Sequence, residues 1–438
     1  MKPQFLISSI GPGSGKTIFA MGLIHALRKR GLKVQPYKCG PEITDTQLLS
    51  LSADNEAVNL DAWITTTTHI QHTYNKYGEK ADACVIEGNG ALFDGYKRMQ
   101  GSSAEIAKLL NVPVILLVNA RMAGYSIASI IYGFKNFHPQ VKIVGVVFNQ
   151  ITSSAHYTYL KEACFDAGVD CLGYLPFNAD LKLPSKHSSI TLTTKRAMDI
   201  QINIVTDYIE KNVNVTRLLV NCNRNFPCQY TLPYSSDIET EISIPTSQRL
   251  KIAIARDPAF NFIYKENIAR FSLYGNISYF SPIYGSELPE ADLIYLPGGY
   301  PELFARQLHR RHKLMNSLKE YAEKGGKILA ECGGMVFLGR SLTAKEGGTA
   351  YQMCNILPLD FIVSTKLNSG YRKLNYNGME LKGYEFHYSI VNNTNDLLAP
   401  IQTASSKSIS VNLYRYKNII ASYGHWYWGD KDILDLWK

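Results

Sequence analysis

The stretch Ser9-Ile10-Gly11-Pro12-Gly13-Ser14-Gly15-Lys16-Thr17 decides the fold of the N-terminal half of the chain. An apolar run, Phe5-Leu6-Ile7, precedes it, and a helical pattern of apolar residues at positions 18, 21, 24 and 27 follows it. Glycines on a strand-to-helix turn let backbone N–H groups converge on phosphate oxygens at the positive end of a helix. The order of strand, glycine loop and helix therefore predicts a phosphate-binding loop.

In such a loop the lysine reaches the outer phosphates of a nucleotide, and the hydroxyl that follows it binds Mg²⁺. We therefore predict a nucleotide site made by Gly11, Gly13, Ser14, Gly15, Lys16 and Thr17. The strict motif has glycine at the position of Ile10. A glycine-rich turn with a chance Gly-Lys-Thr is thus the alternative interpretation.

Length and composition predict a soluble enzyme with more than one domain. The chain has 438 residues, of which 45% are hydrophobic and 19% charged, and a single core rarely grows that large. No apolar run approaches the roughly 20 residues that span a bilayer, and the N-terminus lacks a signal-peptide pattern, so we expect a cytoplasmic protein. The net charge of +9 suits an anionic ligand, whereas no stacking or groove-reading motif indicates nucleic acid.

Hydrophobic patterning divides the chain into two α/β domains. Strands alternate with helices over residues 1–180, which predicts a doubly wound parallel sheet. A proline- and serine-containing polar segment at 221–248 resembles a linker, and a second α/β pattern begins near residue 251. We predict domains at 1–220 and 249–438.

In an open parallel sheet, ligands bind beyond the carboxyl ends of the strands. Lys38 and Asp45 follow one predicted strand, Glu87 ends another, and Asn149 follows a third. We predict that Lys38 neutralises phosphate, that Asp45 and Glu87 complete a Mg²⁺ site with Thr17, and that Asn149 contacts adenine. Taken singly, each residue also fits a solvated charge or a turn.

A second chemical site is predicted at Cys332, which lies between a strand pattern and a glycine pair. This is the arrangement of a nucleophile on a tight turn, where a helix N-terminus lowers the thiol pKa and backbone N–H groups stabilise an oxyanion. Gly299 and Gly333 are the candidate oxyanion donors. The base is predicted to be His425, and His387 is the alternative. The other seven cysteines are expected to be inert.

Taken together, these motifs resemble those of the cobyrinic acid a,c-diamide synthases. The resemblance runs in order along nearly the whole chain, and the set is specific although single motifs are shared with relatives. The stretches that carry it are Gly13-Ser14-Gly15-Lys16-Thr17, Lys38-Cys39-Gly40-Pro41-Glu42 with Asp45, Asn59-Leu60-Asp61, Glu87-Gly88 with Leu92-Phe93-Asp94-Gly95, Leu296-Pro297-Gly298-Gly299-Tyr300-Pro301-Glu302-Leu303, Ala330-Glu331-Cys332-Gly333-Gly334, Gly383-Tyr384-Glu385-Phe386-His387-Tyr388-Ser389 and Ala421-Ser422-Tyr423-Gly424-His425.

The resemblance implies an N-terminal amidoligase domain similar to dethiobiotin synthetase and a C-terminal glutamine amidotransferase of the triad type. It implies ATP as co-substrate with Mg²⁺, L-glutamine as ammonia source, and an anionic tetrapyrrole such as cobyrinic acid as acceptor. Lys38 would face the transferred phosphoryl group, Cys332 would be the glutaminase nucleophile, and His425 its base. No nucleic acid or membrane partner is implied, and a homodimer is left open.

The sequence departs from the family pattern at several positions. Glu42 and Ile43 stand where the family loop usually has aspartate and tyrosine, and Asn119 stands where aspartate is common. Tyr427 stands where triad glutaminases usually carry glutamate, which fits the cobyrinic branch, where that acid is also missing. The alternative functions are therefore amidation of a related tetrapyrrole, by a cobyric acid synthase or a nickel-sirohydrochlorin a,c-diamide synthase, or a non-catalytic phosphate-loop ATPase switch. A switch has no need of a cysteine nucleophile, which argues against it.

Overall fold

The computed structural model describes residues 1–179, 181, 195–231, 249–285, 287–391, 399–403 and 408–438. The described part of the chain divides into two compact units, one before residue 232 and one from residue 249 onward. Each unit has its own β-sheet. This confirms the two predicted α/β domains.

The first unit is a doubly wound sheet with strand order β3-β2-β4-β1-β5-β6-β7, and these seven strands pair in parallel. The strands are β1 (Lys2–Ser9), β2 (Val34–Cys39), β3 (Val58–Leu60), β4 (Ala83–Glu87), β5 (Val114–Asn119), β6 (Ile143–Ile151) and β7 (Cys171–Pro176). The sequences of these strands are mostly apolar because helices cover both faces of a parallel sheet. The predicted fold is thus confirmed for this unit.

The helices of the first unit are α1 (Lys16–Lys29), α2 (Ile43–Ala53), α3 (Thr67–Gly78), α4 (Ser103–Leu110), α5 (Ile127–Asn136), α6 (Ser154–Asp166), α7 (Lys195–Asn212) and α8 (Val215–Asn221). Helix α1 starts directly after Gly15 and ends in Arg28 and Lys29, which suits the negative end of a helix dipole. It packs closely on α7, because a Cβ added to Gly22 would lie 2.4 Å from Cγ1 of Val205.

Strand order brings distant parts of the sequence together at one edge of the sheet. Strand β4 lies between β1 and β2, with Ile7 and Lys38 as the register partners of Glu87 on either side. Glu87 therefore ends its strand between the phosphate loop and Lys38.

The start of the predicted linker packs on the first unit. Strand β8 (Asn223–Arg224) pairs antiparallel with β1, and Asn75 Nδ2 donates to the carbonyl of Cys228 at 3.0 Å. The later part of the predicted linker, from residue 232 to 248, lies outside the described residues. The boundaries at 220 and 249 stay a prediction.

The second unit is built on a mixed sheet of order β10-β9-β11-β12-β19-β18-β17-β15-β13-β14, and β16 pairs with β15 and β20. The strands are β9 (Leu250–Ala255), β10 (Gly275–Phe280), β11 (Leu293–Leu296), β12 (Lys327–Glu331), β13 (Ser341–Thr343), β14 (Ala350–Gln352), β15 (Asp360–Tyr376), β16 (Met379–Val391), β17 (Ala399–Thr403), β18 (Ser408–Tyr416), β19 (Ile419–Ser422) and β20 (Gly424–Trp426). Strands β11, β12 and β19 pair in parallel, so their carboxyl ends meet at one edge.

Four α-helices and two 3₁₀ turns are seen in the described residues of this unit. They are α9 (Lys265–Tyr274), the 3₁₀ turn Pro301–Phe304, α10 (Ala305–His309), α11 (His312–Glu323), α12 (Gly333–Leu338) and the 3₁₀ turn Ile433–Trp437. Across the described parts of both units, no helix combines the length and the apolarity that a membrane crossing requires.

The start of α4 provides a test of local stability. Ser102 Oγ accepts from Glu105 N at 3.2 Å, which is a side-chain N-cap. The Glu105 carboxylate accepts from the N–H of Gly101, one residue before the position that a capping box uses. We expect Ser102→Ala to lower the free energy of unfolding of the first unit by about 1 kcal/mol. Ser126→Ala is the matched control, because Ser126 starts α5 without a side-chain cap bond. Equal losses in urea denaturation would contradict this expectation.

Candidate active sites

The phosphate loop has a backbone that only glycine adopts easily at two positions. Gly13 and Gly15 have φ angles of +70° and +88°, where a side chain is strained. A Cβ on Gly15 would also lie 2.4 Å from Nδ2 of Asn149. Ser14 Oγ donates to the carbonyl of Gly11 at 2.7 Å and closes the loop on itself. The sequence departure at Ile10 leaves this turn intact.

Lys16 is anchored at the mouth of the loop. Its Nζ donates to Ser9 Oγ at 2.8 Å and to the carbonyl of Gly90 at 2.6 Å. Burial, followed by repulsion from Lys38, lowers the pKa of Lys16 to about 8. A phosphate group would offset both effects, because an anion favours the charged form.

The predicted residues Thr17, Lys38, Asp45 and Glu87 lie together in one buried cluster. Thr17 Oγ1 donates to Glu87 Oε1 at 2.6 Å, and Lys38 Nζ lies 3.1 Å from the same oxygen and 2.8 Å from Asp45 Oδ2. Burial opposes the charge of Lys38, but the carboxylates of Asp45, Glu87 and Glu42 outweigh it and raise its pKa. Burial raises the pKa of Glu87 against the pull of Lys38.

The donor set of this cluster fits Mg²⁺. Glu87 Oε2 is buried and has no hydrogen-bond partner in the described residues, and the Thr17 hydroxyl adjoins the same carboxylate. Mg²⁺ prefers oxygen ligands and commonly takes one or two carboxylates together with nucleotide phosphates. The described residues contain no group of three His, Cys, Asp or Glu side chains that could hold a metal ion. Phosphate oxygens would therefore be part of the coordination sphere.

Asn149 braces the phosphate loop in this structure. Its Nδ2 donates to the carbonyl of Ser14 at 2.9 Å, and its Oδ1 accepts from Gln150 N at 2.9 Å. The sequence alone does not indicate this role, because it depends on the approach of β6 to the loop. Contact between Asn149 and adenine stays a prediction.

Cys332 lies on a strained turn between β12 and α12, as predicted from its glycine context. Its φ and ψ angles are 44° and −105°, and its N–H donates to the carbonyl of Ser422 at 2.7 Å. The backbone N–H groups of Gly333 and Gly299 both face its sulfur. The nucleophile and the two predicted oxyanion donors thus converge in one place.

The expected lowering of the Cys332 pKa is wrong for this structure. Burial, followed by the Glu302 carboxylate, raises the thiol pKa and outweighs the two backbone N–H groups. Helix α12 has only six residues, so its N-terminus offers little compensation. A buried neutral thiol needs a base to become a nucleophile.

His425 is available as that base. Neither buried ring nitrogen makes a hydrogen bond of ordinary geometry within the described residues. Burial, followed by the charge of His387, lowers the pKa of His425 to about 3, although the nearby Phe386 backbone favours the charged form. A Cβ on Gly298 would lie 2.0 Å from Cε1 of His425 and 3.2 Å from Cβ of Cys332. The glycine therefore lets both catalytic candidates reach the same space.

His387 is not free to act as the base. Its Nδ1 lies 2.7 Å from the Ser389 carbonyl and its Nε2 lies 2.6 Å from Glu385 Oε1. Burial opposes ionisation of Glu385, but His387 and Arg372 outweigh it and lower the pKa of this carboxyl. Both ring nitrogens are therefore already engaged and face away from the role of a base for Cys332. This geometry favours His425 over His387.

The sequence reasoning quoted Glu385 and Ser389 within a family motif but gave them no role, and it did not name Arg372. A signal exists for two of them, since Glu385, His387 and Ser389 alternate along one strand and are all buried, and alternate strand residues share a face. The role of Arg372 is much harder to predict from the sequence, because its ion pair with Glu385 depends on the register between two strands.

Glu331 is a buried carboxyl directly before the nucleophile. It accepts hydrogen bonds from Tyr295 Oη and Trp428 Nε1, each at 2.8 Å. Burial outweighs these bonds and raises the pKa of Glu331 to about 8. The neutral carboxyl of Glu331 therefore links β12 to Trp428, three residues after His425.

The two sites define a glutamine amidotransferase joined to a phosphate-loop nucleotide-binding domain. Residues 5–190 match the CobQ/CobB/MinD/ParA nucleotide binding domain, and residues 251–433 match the CobB/CobQ-like glutamine amidotransferase domain. The nucleotide-binding match supports ATP as co-substrate. Both agree with the fold predicted from the sequence.

Curated relatives identify the family more closely. The chain is 34% identical to the cobyrinate a,c-diamide synthase of Dehalococcoides mccartyi, covering 98% of this chain and 95% of the relative. It is 33% identical to that of Listeria innocua, covering 96% and 95%, and 32% identical to that of Saccharolobus solfataricus, covering 96% and 97%. The chain belongs to the cobyrinate a,c-diamide synthase family, as the sequence motifs predicted.

Similarity to solved structures is more distant. Chloroplast FtsY from Physcomitrella patens is 12% identical, with a TM-score of 0.32, over 46% of this chain and 65% of that chain. That similarity is too low to add to the assignment.

The pKa of Lys16 predicts how ATP affinity depends on pH. Near pH 7 the lysine is mostly charged, whereas above its pKa of about 8 ATP binding must also take up a proton. We expect the affinity to fall about tenfold from pH 7 to pH 9. Isothermal titration calorimetry in two buffers of different ionisation enthalpy measures both the affinity and the proton uptake.

Lys16→Arg is the control, because arginine stays charged at both pH values. Its ATP affinity should be nearly the same at pH 7 and pH 9. An equal fall in both proteins would assign the pH dependence to another group.

The pKa of Glu331 predicts a stabilising substitution. Its folded-state pKa of about 8 exceeds the ordinary value of 4.5, so the unfolded chain loses this proton first and stability falls as pH rises from about 4.5 to 8. Glu331→Gln removes that loss, since its Oε1 can accept from Trp428 Nε1 and its Nε2 can donate to Tyr295 Oη. We expect the variant to be more stable than wild type by about 3 kcal/mol at pH 7, with little difference at pH 4.

Thermal unfolding at several pH values checks this expectation. The gain in melting temperature should grow from pH 5 to pH 8. A variant that is less stable than wild type across this range would show that Glu331 is ionised in the folded protein.

Proposed function

We propose that the protein amidates the a and c carboxylates of cobyrinic acid, using ATP to activate each carboxylate and glutamine as the source of ammonia. The observation that carries the proposal is the convergence of Cys332, the Gly299 and Gly333 amides and an unprotonated His425 in a chain that also has a phosphate loop. The names of its relatives support the choice of cobyrinic acid.

Activation of the carboxylate is the first step of the proposed reaction. A carboxylate oxygen of the substrate attacks the γ-phosphorus of ATP, which forms an acyl phosphate and releases ADP. Lys16 and Lys38 carry the positive charge on the protein side, and this chemistry is accelerated chiefly by positioning and electrostatics. Mg²⁺, held by Thr17, Asp45 and Glu87, would neutralise phosphate charge when bound.

Release of ammonia is the second step. His425 takes the thiol proton of Cys332, and the sulfur attacks the side-chain amide carbon of glutamine. The oxyanion faces the N–H groups of Gly299 and Gly333. His425 then donates its proton to the leaving ammonia, which leaves a thioester. Water, deprotonated by His425, cleaves the thioester to glutamate and restores the thiol.

Amide formation completes the cycle. Ammonia attacks the acyl phosphate carbon, phosphate leaves, and a proton is lost from nitrogen. Repeating the sequence on the second carboxylate gives the diamide. Each amide therefore consumes one ATP and one glutamine.

The proposal also covers the location of the protein, the charge of its ligand and the number of chains in the active assembly. A cytoplasmic location is consistent with the need for ATP and glutamine, and the net charge of +9 suits an anionic tetrapyrrole rather than requiring nucleic acid. Light scattering of the active protein would distinguish a monomer from a homodimer.

A mass-spectrometric assay with cobyrinic acid, ATP, Mg²⁺ and glutamine tests the proposal. Wild type should add two amides. Cys332→Ala should lose the glutamine-dependent reaction by at least about 10³-fold and keep the reaction with free ammonia. Cys354→Ala is the control, because Cys354 is also buried in the second unit and has no assigned role.

Other outcomes discriminate the alternatives. Glutaminase and ATPase activity without amidation of cobyrinic acid would point to a nickel or other tetrapyrrole, and four amidations on a diamide substrate would point to a cobyric acid synthase. Equal activity of wild type and Cys332→Ala with glutamine would contradict the assignment of the nucleophile.

A further inference from the structure

We propose that Glu385 and His387 are positioning residues for the Cys332–His425 pair and supply the orientation that an acid partner of His425 would otherwise give. The proposal rests on the glutaminase function proposed above. The residue two positions after His425, where triad glutaminases carry glutamate, is Tyr427. No acidic side chain is hydrogen-bonded to His425 among the described residues, and the polar group that acts on its ring at close range is the backbone of Phe386.

The two residues form the centre of a buried charged cluster. Glu385 and His387 are 1% and 5% exposed. The Glu385 carboxylate accepts from Arg372 Nε through one oxygen and from His387 Nε2 through the other. Nδ1 of His387 donates to the Ser389 carbonyl. Every polar atom of the pair is thus engaged, so its geometry is fixed by bonds of the strong, charge-assisted kind.

One end of this cluster reaches the nucleophile. Phe386 lies between the two residues in sequence, and its carbonyl is 3.9 Å from the Cys332 sulfur, within range of a bond from the thiol. Because the side chains on both sides of Phe386 are locked, its carbonyl has little freedom. The cluster therefore sets where the Cys332 thiol points before glutamine is attacked.

The other end reaches the strand that carries the base. Strand β16 pairs with β20, with Tyr384 opposite His425 and Glu385 opposite Gly424. The His387 ring also stacks on Tyr423 with a centroid distance of 3.7 Å and an interplanar angle of 6°. Tyr423 lies two residues before His425, so this stack fixes the start of the turn that presents the base.

The cluster also acts on the reacting pair through its charges. The Glu385 carboxylate adds to the raised pKa of Cys332, after burial and the Glu302 carboxylate. The resting thiol therefore keeps its proton until His425 takes it. The lowered pKa of His425, to which the charge of His387 contributes, agrees with this arrangement.

Three substitutions separate the parts of the proposal. Glu385→Gln removes the carboxylate charge at constant shape, and His387→Gln removes the imidazole ring. His387→Asn keeps a donor for the Ser389 carbonyl but loses the Glu385 bond and the stack on Tyr423, and it serves if His387→Gln does not fold. Glu380→Gln is the matched control, because Glu380 is an exposed residue of the same strand, paired with Lys382.

Glutamine hydrolysis is the main readout. We expect Glu385→Gln and His387→Gln to lower kcat about 10- to 100-fold, because small misplacements of reacting groups cost that much, while KM for glutamine changes less than about 3-fold. Amidation with free ammonia should stay at the wild-type rate in each variant. Glu380→Gln should behave as wild type in both assays.

The rate of Cys332 alkylation by iodoacetamide as a function of pH is a second readout, followed at this cysteine by peptide mass spectrometry. Loss of the Glu385 charge in Glu385→Gln should move the midpoint to lower pH, because that carboxylate raises the Cys332 pKa, whereas loss of packing alone should not. The other charged or titratable groups around these side chains are Arg372, Glu302, Tyr300, Tyr423 and His425.

The outcomes are distinguishable. If wild type hydrolyses no glutamine, the proposed function fails before the positioning role is tested by kinetics, and the alkylation profile alone decides whether the cluster controls Cys332. If wild type hydrolyses glutamine and the variants keep its kcat within about 2-fold, the positioning role is wrong. It is also wrong if the ammonia-dependent rate falls equally, since that result indicates a general loss of structure.

Discussion

A parallel β-sheet brings the carboxyl ends of its strands to one edge, and both sites of this protein depend on that constraint. In the first unit, β4 lies between β1 and β2, so Glu87 ends between the phosphate loop and Lys38. In the second unit, β12 lies between β11 and β19, so Cys332 ends between Gly299 and the turn to His425. Both units thus place their reactive residues at the carboxyl ends of adjacent parallel strands, although the chemistry of the two sites differs.

Burial of charge is the second theme, since an ion is stable inside a protein only when it is paired. Lys38 is held between Asp45 and Glu87, and Glu385 between Arg372 and His387. Burial raises the pKa of Glu331 to about 8, and the partners that oppose this shift, Tyr295, Trp428 and the Trp426 backbone, are all uncharged. Buried carboxyls within one chain therefore differ in protonation because their partners differ.

The limits of the sequence follow from the same physics. The phosphate loop, the end of β4 and the turn at Cys332 were predictable because short local patterns specify them. The pKa of Cys332 was not, since burial by residues distant in sequence outweighs the short helix that follows. The bond from Asn149 to Ser14 and the pairing of Arg372 with Glu385 likewise depend on strand register, which a single sequence specifies weakly.

The resting state of the glutaminase site has a mechanistic consequence. Cys332 and His425 are both uncharged there, because burial raises the thiol pKa and lowers that of the imidazole. The Gly299 and Gly333 amides face the sulfur in this state, and the oxyanion of bound glutamine needs the same donors. Proton transfer to His425 and the movement of negative charge from sulfur to oxygen are therefore coupled. A site built in this way keeps its thiol unreactive until an amide carbonyl is present to accept that charge.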